Sequence, residues 1–211
     1  MHFTLPKIYP ITDTRISGLS HAEQVERLAA GGATLIQIRE KDVLSYRFYI
    51  AAGEAIRVAH THGVKIIIND RVDIALALDA DGVHLGQDDL PPDKAREILG
   101  DDAIIGFSTH TLEQALAAVK LPVDYIAFGP VFGTTTKTDS DESVGLDGLS
   151  AVLAAVGNFP LVAIGGIDAG NLRSVLEAGA DSAALINALL SNPSKIEERM
   201  RRLIATTRFR N

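Results

Sequence analysis

Eight short apolar runs alternate with eight helical patterns along this chain, and that alternation constrains its fold more than any other feature. The strand-like runs cover residues 8–12, 35–39, 65–69, 82–85, 103–108, 125–129, 161–164 and 182–186. The helical patterns cover 21–30, 44–62, 72–78, 91–99, 112–121, 149–156, 171–178 and 195–208. Runs this short and this apolar are typical of parallel strands that are buried on both faces.

Eight strand–helix units in 211 residues predict an α/β chain folded as a single (β/α)8 barrel, or TIM barrel. A doubly wound open sheet also alternates strands and helices, but the regular count favours closure. No G-x-G-x-x-G follows the first strand, which weighs against a dinucleotide-binding sheet. Because no linker or change in composition divides the chain, we expect residues 1–211 to form one catalytic domain.

Composition excludes several classes of function. The absence of cysteine rules out disulfides, thiolate metal sites and cysteine nucleophiles. A net charge of −7 argues against general nucleic-acid binding, which needs a basic surface. The N-terminus lacks the pattern of a signal peptide, and no apolar stretch approaches the roughly 20 residues that cross a bilayer. We expect a cytoplasmic protein with no membrane partner; the sequence leaves homo-oligomer formation open.

Polar side chains and candidate backbone donors fall at the carboxyl-terminal ends of the predicted strands or directly after them, where the active sites of such barrels lie. In strand order they are Gln37, Arg39 and Lys41; Asn69 and Asp70; Gln87, Asp88 and Asp89; Ser108; Thr134 to Lys137; Gly165 and Gly166; and Ile186 and Asn187. Since all these positions fall on one rim of the barrel, their coincidence is a stronger signal than any single motif. It predicts an enzyme with its site on that rim.

Two aspartates follow neighbouring predicted strands and suggest a metal site. Asp70 and Asp89 would lie within reach of one Mg²⁺, which usually takes one or two carboxylates together with substrate phosphate oxygens and water. Each residue also has a structural interpretation. Asp70 could cap the helix that begins at Val72, and Asp89 could belong to a turn before Pro91.

Gln37, Arg39 and Lys41 alternate in strand register and therefore share one face of the second strand. In a closed barrel that face points into the upper interior, where two cations need an anion. The alternative is an internal salt bridge with Glu40 or Asp42. The sequence alone does not decide between these interpretations.

Two further segments suit phosphate groups. The loop after the sixth strand offers hydroxyl donors and a cation, at Thr134, Thr135, Thr136 and Lys137, although a surface turn would have a similar composition. Gly165 and Gly166 follow the seventh strand, in the usual phosphate-binding place of these barrels. His84 is interpreted as a core histidine and His110 as a loop residue. No G-x-S-x-G or H-E-x-x-H motif supports a hydrolase of those types.

Several segments resemble the thiamine-phosphate synthase family, in order and over nearly the whole chain. They are 8–13, 37–42, 69–77, 80–89, 106–111, 124–137, 163–167 and 178–181. The resemblance implies a (β/α)8 barrel and a transferase with two phosphorylated substrates. Hydroxyethylthiazole phosphate would displace diphosphate from hydroxymethylpyrimidine diphosphate, giving thiamine phosphate. A dissociative mechanism would leave the protein to stabilise the leaving diphosphate and to position the thiazole.

The same resemblance implies a role for each matching residue. Asp70 and Asp89 would bind Mg²⁺, and Gln37 and Asn69 would bind the pyrimidine. The diphosphate, and with it catalysis, would depend on Arg39, Lys41, Ser108 and Lys137. The thiazole phosphate would be bound by Thr134, Thr135, Thr136, Gly166, Ile186 and Asn187. Asn187 departs from the family, which often has Ser there.

Two other functions remain open on the same scaffold. A thiazole tautomerase would share the barrel, but that group tends to lose the Asn-Asp pair and the Gly-Gln-x-Asp motif and to rely on a histidine near His110. This chain keeps both motifs. A non-catalytic phospholigand-binding protein is the third reading, and the joint presence of Asp70, Asp89 and Lys137 argues against it.

Overall fold

Eight parallel strands form the frame of the molecule. The computed structural model describes residues 4–41, 43–133 and 143–207. Within those residues the strands are β1 (Ile8–Pro10), β2 (Leu35–Ile38), β3 (Lys65–Asn69), β4 (Gly82–Leu85), β5 (Ile104–Thr109), β6 (Tyr125–Phe128), β7 (Leu161–Ile164) and β8 (Ser182–Leu185). All eight were predicted, and each boundary lies within two residues of its predicted position.

Helices connect the strands and cover the outside of the sheet. They are α1 (Thr14–Ser17), α2 (His21–Ala30), α3 (Ser45–His62), α4 (Val72–Ala77), α5 (Pro92–Leu99), α6 (Leu112–Ala118), α7 (Gly145–Val156), α8 (Leu172–Glu177), α9 (Asn187–Leu190) and α10 (Ile196–Thr206), with a 3-10 turn at Pro193–Lys195. The one-turn helices α1 and α9 were not predicted. Among the helices of the described residues, none is long and apolar enough to span a membrane.

The sheet curls until its two outer strands meet. The strand order is β1-β8-β7-β6-β5-β4-β3-β2, and every neighbouring pair is parallel. Beyond the ends of β1 and β2, a single bridge joins Ile11 to Gln37, and the Thr12 amide donates to the Gln37 carbonyl at 2.9 Å. This seam makes the sheet a nearly closed barrel, which confirms the predicted fold.

Alternation along the strands separates two apolar layers. In β2 and β3, Ile36 and Ile66 face the surrounding helices, whereas Leu35 and Ile67 face the barrel interior. All four side chains are buried. This period of two is the pattern expected of a barrel strand, in which both faces are covered.

Three aspartates fasten the opposite, amino-terminal end of the barrel. Each immediately precedes an even-numbered strand, and its carboxylate accepts the amide of a residue at the start of the strand before it. The pairs are Asp81 with Ile66 at 2.8 Å, Asp124 with Ile105 at 2.8 Å, and Asp181 with Leu161 at 2.9 Å. We call these three bonds the aspartate clasps.

Gly106 makes room for an aromatic ring inside the barrel. A Cβ at this position would lie 2.1 Å from Tyr125 Cζ and 2.5 Å from His84 Nδ1. The Tyr125 ring stacks on the His84 ring, with centroids 5.5 Å apart. The missing side chain therefore sets the position of both rings.

Replacing Gly106 with Ala should lower the free energy of unfolding by about 1–3 kcal/mol, because an added methyl group overpacks the interior. Denaturant-induced unfolding measures this change. Gly53→Ala, within α3, is the matched control. Its Cβ would meet only the end of the flexible Leu78 side chain, at 3.3 Å, among its near neighbours. It should leave stability unchanged or raise it by about 0.5–1 kcal/mol. Equal stabilities for the two variants would contradict this assignment.

Candidate active site

Lys41 and Asp70 form an ion pair on the carboxyl-terminal rim. Lys41 Nζ donates to Asp70 Oδ2 at 2.6 Å. The backbone of Asp70 has φ +63°, a left-handed conformation that is uncommon for residues other than glycine. Arg71, not Asp70, occupies the position that caps α4. The helix-cap interpretation of Asp70 is therefore wrong, and its carboxylate is directed to the rim.

Asp89 lies beside Asp70. Its Oδ2 accepts the Gly86 amide at 2.6 Å, so the turn interpretation of Asp89 holds as well. Burial raises the pKa of the Asp89 carboxyl, and the neighbouring Asp70 charge raises it further. Two like charges held together are stabilised by a cation. Among the described residues, no group of three or more His, Cys, Asp or Glu is suited to a metal. Magnesium usually takes only one or two carboxylates from the protein, and Asp70 and Asp89 are two.

Arg39 is a buried cation on the same rim. Its side chain, in a residue only 7% exposed, donates to Asp13 Oδ2 at 3.4 Å. Glu40 instead accepts bonds from Thr14 and His21. The predicted alternative of an Arg39–Glu40 salt bridge is therefore wrong, and Asp42 lies outside the described residues. Arginine has five N–H donors, so one bond to Asp13 leaves it able to bind an anion as well.

A small cavity of about 30 Å³ opens at the mouth of the barrel. Its lining brings together five predicted site residues from the ends of four strands or the segments that follow: Gln37 of β2 and Arg39 after it, Asn69 of β3, Ser108 of β5 and Ile186 after β8. Most of the other lining residues are apolar, such as Val162 and Ala184. Apolar walls with a few polar groups are typical of the lining of a small-molecule site, while the enclosed volume is that of about one or two water molecules.

A chain of hydrogen bonds crosses the barrel and includes four residues that line this cavity, Gln37, Tyr9, His84 and Ser108. Gln37 Nε2 donates to Tyr9 Oη at 3.3 Å, and Tyr9 Oη lies 3.0 Å from Tyr125 Oη. Tyr125 Oη lies 3.0 Å from His84 Nδ1, and His84 Nε2 lies 2.9 Å from Ser108 Oγ. The chain connects two predicted substrate-binding residues, Gln37 and Ser108, through the interior of the barrel.

Sequence reasoning missed most of that chain. It assigned no role to Tyr9 or Tyr125 and interpreted His84 only as a core residue, which its burial confirms. Burial raises the pKa of both phenols above their usual range, so both stay protonated as donors. The signal was the position of each tyrosine on the inward face of its strand, where a hydroxyl needs a partner.

The loop after β7 is built on two glycines with positive φ. Gly165 has φ +102° and Gly166 has φ +60°. A Cβ on Gly166 would lie 2.6 Å from the Gly133 carbonyl oxygen, so the loops after β6 and β7 pack backbone against backbone. Asn171 Nδ2 donates to the Gly166 carbonyl at 2.9 Å and fixes the turn.

A second, larger cavity of about 880 Å³ adjoins this loop. Gly133, Gly166, Asn187 and the α10 side chains Arg199 and Arg202 contribute to its lining. Asn187 lines this cavity and its neighbour Ile186 lines the small cavity at the mouth of the barrel, so the linings of the two cavities are adjacent in the chain after β8. The remaining predicted phosphate-binding residues, Thr134, Thr135, Thr136 and Lys137, lie outside the described residues.

A (β/α)8 barrel with a buried arginine, an acidic pair and two cavities at the carboxyl ends of its strands is typical of enzymes that act on phosphorylated small molecules. The family comparison names the group within that class. The chain belongs to the thiamine monophosphate synthase family, whose model matches residues 8–189.

Curated relatives and a solved structure agree with this family. A thiamine-phosphate synthase of Clostridium novyi is 48% identical over 187 residues, 88% of this chain and 91% of the relative. One from Chloroflexus aurantiacus is 42% identical over 95% of this chain and 94% of its own length. The structure of thiamine phosphate pyrophosphorylase from Pyrococcus furiosus superposes with a TM-score of 0.84, at 36% identity, and covers 96% of this chain and 97% of that one.

Replacing Asp89 with Asn should raise the melting temperature of the metal-free protein at neutral pH. Asn can still accept the Gly86 amide, but it removes a charge that burial and Asp70 oppose. Solvent screening keeps the gain small, about 1–3 °C. A carboxyl with a raised pKa in the folded state destabilises that state only above its ordinary pKa. The cost grows with pH and is complete above the raised pKa. The gain should therefore vanish below the ordinary aspartate pKa of about 3.9.

Thermal unfolding at several pH values tests this expectation. Asp88→Asn is the matched control, because Asp88 is the adjacent carboxylate and is exposed. It should melt like the unmodified protein at every pH. A lower melting temperature for Asp89→Asn, or a gain that persists in acid, would contradict the proposed repulsion.

Proposed function

We propose that this chain is a thiamine-phosphate synthase acting as one catalytic unit over residues 1–211. The thiazole nitrogen of hydroxyethylthiazole phosphate would form a bond to the methylene carbon of hydroxymethylpyrimidine diphosphate. The carbon–oxygen bond to the diphosphate breaks, and diphosphate leaves with the bonding electrons. The observation that carries this proposal is the cluster of Arg39, Lys41, Asp70 and Asp89 above the mouth cavity, in a chain 48% identical to a curated synthase.

The pyrimidine would bind at the mouth of the barrel, over the small cavity. Gln37 and Asn69 line it and offer amide donors and acceptors to the ring nitrogen and amino groups. Tyr9 holds the Gln37 amide nitrogen, which leaves the orientation of that amide fixed before substrate binds. Such preorganisation lowers the cost of positioning the ring for attack.

The leaving diphosphate would be bound by cations on the rim. Arg39 and Lys41 already lie there, each paired with a carboxylate, and Ser108 adds a hydroxyl held by His84. Lys137 would complete the set. Charge that develops on the leaving group is best stabilised by donors fixed beforehand in a partly buried site.

Asp70 and Asp89 would hold Mg²⁺, and the rise in the Asp89 pKa supports a cation between them. When bound, Mg²⁺ would neutralise charge on the diphosphate oxygens. Lys41 would then exchange its bond to Asp70 for a bond to the diphosphate.

A cytoplasmic location accords with the cysteine-free sequence.

The thiazole phosphate would be bound beside the larger cavity. Gly166 allows the backbone to approach a phosphate closely, and Ile186 and Asn187 would offer amides at the start of α9. Thr134, Thr135 and Thr136, which lie outside the described residues, would also bind this phosphate. Ile186 lines the small cavity and Asn187 the larger one, so a thiazole phosphate bound at this turn would lie on the pyrimidine side of the rim.

The geometry favours the synthase over the tautomerase. His110 Nδ1 bonds the Gly129 carbonyl at 2.7 Å, and His110 is absent from the described lining of both cavities. A base for tautomerisation would have to reach its substrate. The non-catalytic reading gives no reason to keep an acidic pair beside two cations.

The first test is diphosphate release on mixing the protein with both substrates, in Mg²⁺ and then in EDTA. We expect release only when both substrates and the metal are present, together with formation of thiamine phosphate. Conversion of a thiazole carboxylate phosphate, without diphosphate release, would favour the tautomerase. Binding of either substrate without turnover under any condition would favour the non-catalytic reading.

Asp89→Ala should lower turnover by about 100-fold or more and leave the fold intact, because it removes one metal ligand from a partly exposed turn. Steady-state kinetics and circular dichroism together measure both effects. Asp88→Ala should keep full activity. Undiminished turnover of Asp89→Ala, or its unfolding, would count against Asp89 as a metal ligand.

A further inference from the structure

A cluster of buried polar residues lies behind Arg39, at the seam between β1 and β2. We call Thr12, Asp13, His21, Gln24 and Glu40 the seam cluster. The first four are buried; Thr12 is 0% and His21 1% exposed. None of the five occurs in the described lining of either cavity, and the proposed mechanism gives them no role. Burying so many polar groups is costly, and their mutual hydrogen bonds offset that cost. The question is what these bonds hold in place.

His21, at the start of α2, bridges the two strand ends. His21 Nδ1 lies 2.8 Å from Thr12 Oγ1, and His21 Nε2 lies 3.1 Å from Glu40 Oε2. Thr14 Oγ1 donates to the same carboxylate oxygen at 2.8 Å. The order carboxylate, imidazole and hydroxyl is that of a nucleophilic triad. Because Thr12 is fully buried, its hydroxyl cannot meet a substrate, and the arrangement holds structure in place instead.

The bonds of Thr12 reach the two substrate-binding residues of β2 and the segment after it. Thr12 Oγ1 accepts the backbone amide of Arg39 at 3.3 Å, and the Thr12 amide donates to the Gln37 carbonyl at 2.9 Å. These bonds continue the strand pairing beyond the single Ile11–Gln37 bridge. They fix the backbone from which both side chains project.

Asp13 restrains the Arg39 side chain as well. Its Oδ2 accepts from Arg39 Nη1 at 3.4 Å, and its Oδ1 caps α1 by accepting the amides of Arg15 and Ile16. The Asp13 amide donates to Gln24 Oε1 at 3.0 Å. The cluster therefore holds Arg39 at two points, the backbone amide and the guanidinium.

The donor pattern is consistent with a neutral imidazole. Burial lowers the pKa of His21 against the opposing effects of Glu40 and Asp13. Since a carboxylate can only accept, Nε2 carries the hydrogen bonded to Glu40. Nδ1 then accepts from the Thr12 hydroxyl, whose oxygen stays available to the Arg39 amide. The Thr12 hydroxyl has one hydrogen, and in this tautomer Nδ1, at 2.8 Å, receives it in place of the Gln37 carbonyl at 3.3 Å. That carbonyl still accepts the Thr12 amide.

We infer that His21 is a positioning residue for the proposed transferase: through Thr12 and Glu40 it holds the ends of β1 and β2 so that the Arg39 guanidinium faces the diphosphate. This inference rests on the proposed function for the identity of the anion. It goes beyond that function because His21 touches no substrate. Misplacement of a substrate-binding group by a distant change can cost up to about 100-fold in rate.

His21→Phe removes both bonds and keeps a ring beside Phe48, whose centroid lies 6.3 Å from that of His21. We expect kcat/KM for the pyrimidine diphosphate to fall between about 10- and 100-fold, with KM for the thiazole phosphate unchanged. Affinity for inorganic diphosphate with Mg²⁺, measured by calorimetry, should fall in parallel. His21→Asn, which can still bond Thr12, should recover part of both losses and serves as the second variant if His21→Phe does not fold.

His62→Phe is the matched control. His62 also pairs with a carboxylate, Glu26 at 3.0 Å, but it lies at the exposed end of α3. It should change neither kinetic constant nor diphosphate affinity.

A merely structural His21 would behave differently from a positioning one. Its variants would lose thermal stability, yet their kinetics and diphosphate binding below the melting temperature would match the unmodified protein, which would overturn the inference.

A double-mutant cycle shows whether His21 acts through Arg39. If it does, His21→Phe should cause little further loss of diphosphate affinity once Arg39 is replaced by Ala. Additive losses would overturn the inference.

Diphosphate binding separates this test from the proposed function. A protein that binds diphosphate but forms no thiamine phosphate would contradict the synthase assignment and still allow the cycle to be read. A protein that binds no diphosphate would overturn the inference.

Discussion

The structure depends on how the barrel closes between its first and second strands. Every other neighbouring pair shares three or four residues of register, whereas β1 and β2 meet in one bridge, Ile11 to Gln37. Gln37 is part of this single bridge, and Arg39 lies two residues after it. Side-chain bonds from Thr12, Asp13 and His21 supply the cohesion that the backbone ladder lacks there. The same hydrogen bonds therefore close the barrel and place a cation that would bind substrate.

Charge is arranged on the rim so that an acidic chain can hold anions. Within the part of the chain that the structure describes, two rim cations are each paired with a carboxylate, Arg39 with Asp13 and Lys41 with Asp70. The pairs keep the cations ordered, and the crowding of Asp70 and Asp89 makes the same rim attractive to a metal. A net charge of −7 is therefore compatible with phosphorylated substrates, because the local field at the site differs from that of the whole molecule.

Periodicity and strand ends made much of this predictable from sequence. Short apolar runs that alternate with helical patterns located all eight strands, and the polar residues at their ends marked the rim. Partners distant in sequence were not predictable. The bond between Gln37 and Tyr9 and the pairing of Arg39 with Asp13 depend on strand register and closure, which a single sequence does not specify. The helices α1 and α9 were missed because one turn is too short for helical periodicity to appear.

The aspartate clasps have a consequence for how such a chain can change. They tie β3 to β4, β5 to β6 and β7 to β8, and they join residues 15, 19 and 20 positions apart in sequence. Each strand–helix–strand segment therefore carries its own fastening at the end of the barrel away from the rim. Such a segment is a natural module for duplication or exchange. Loops on the catalytic side can then diverge towards new substrates while the modules beneath them keep their internal joints.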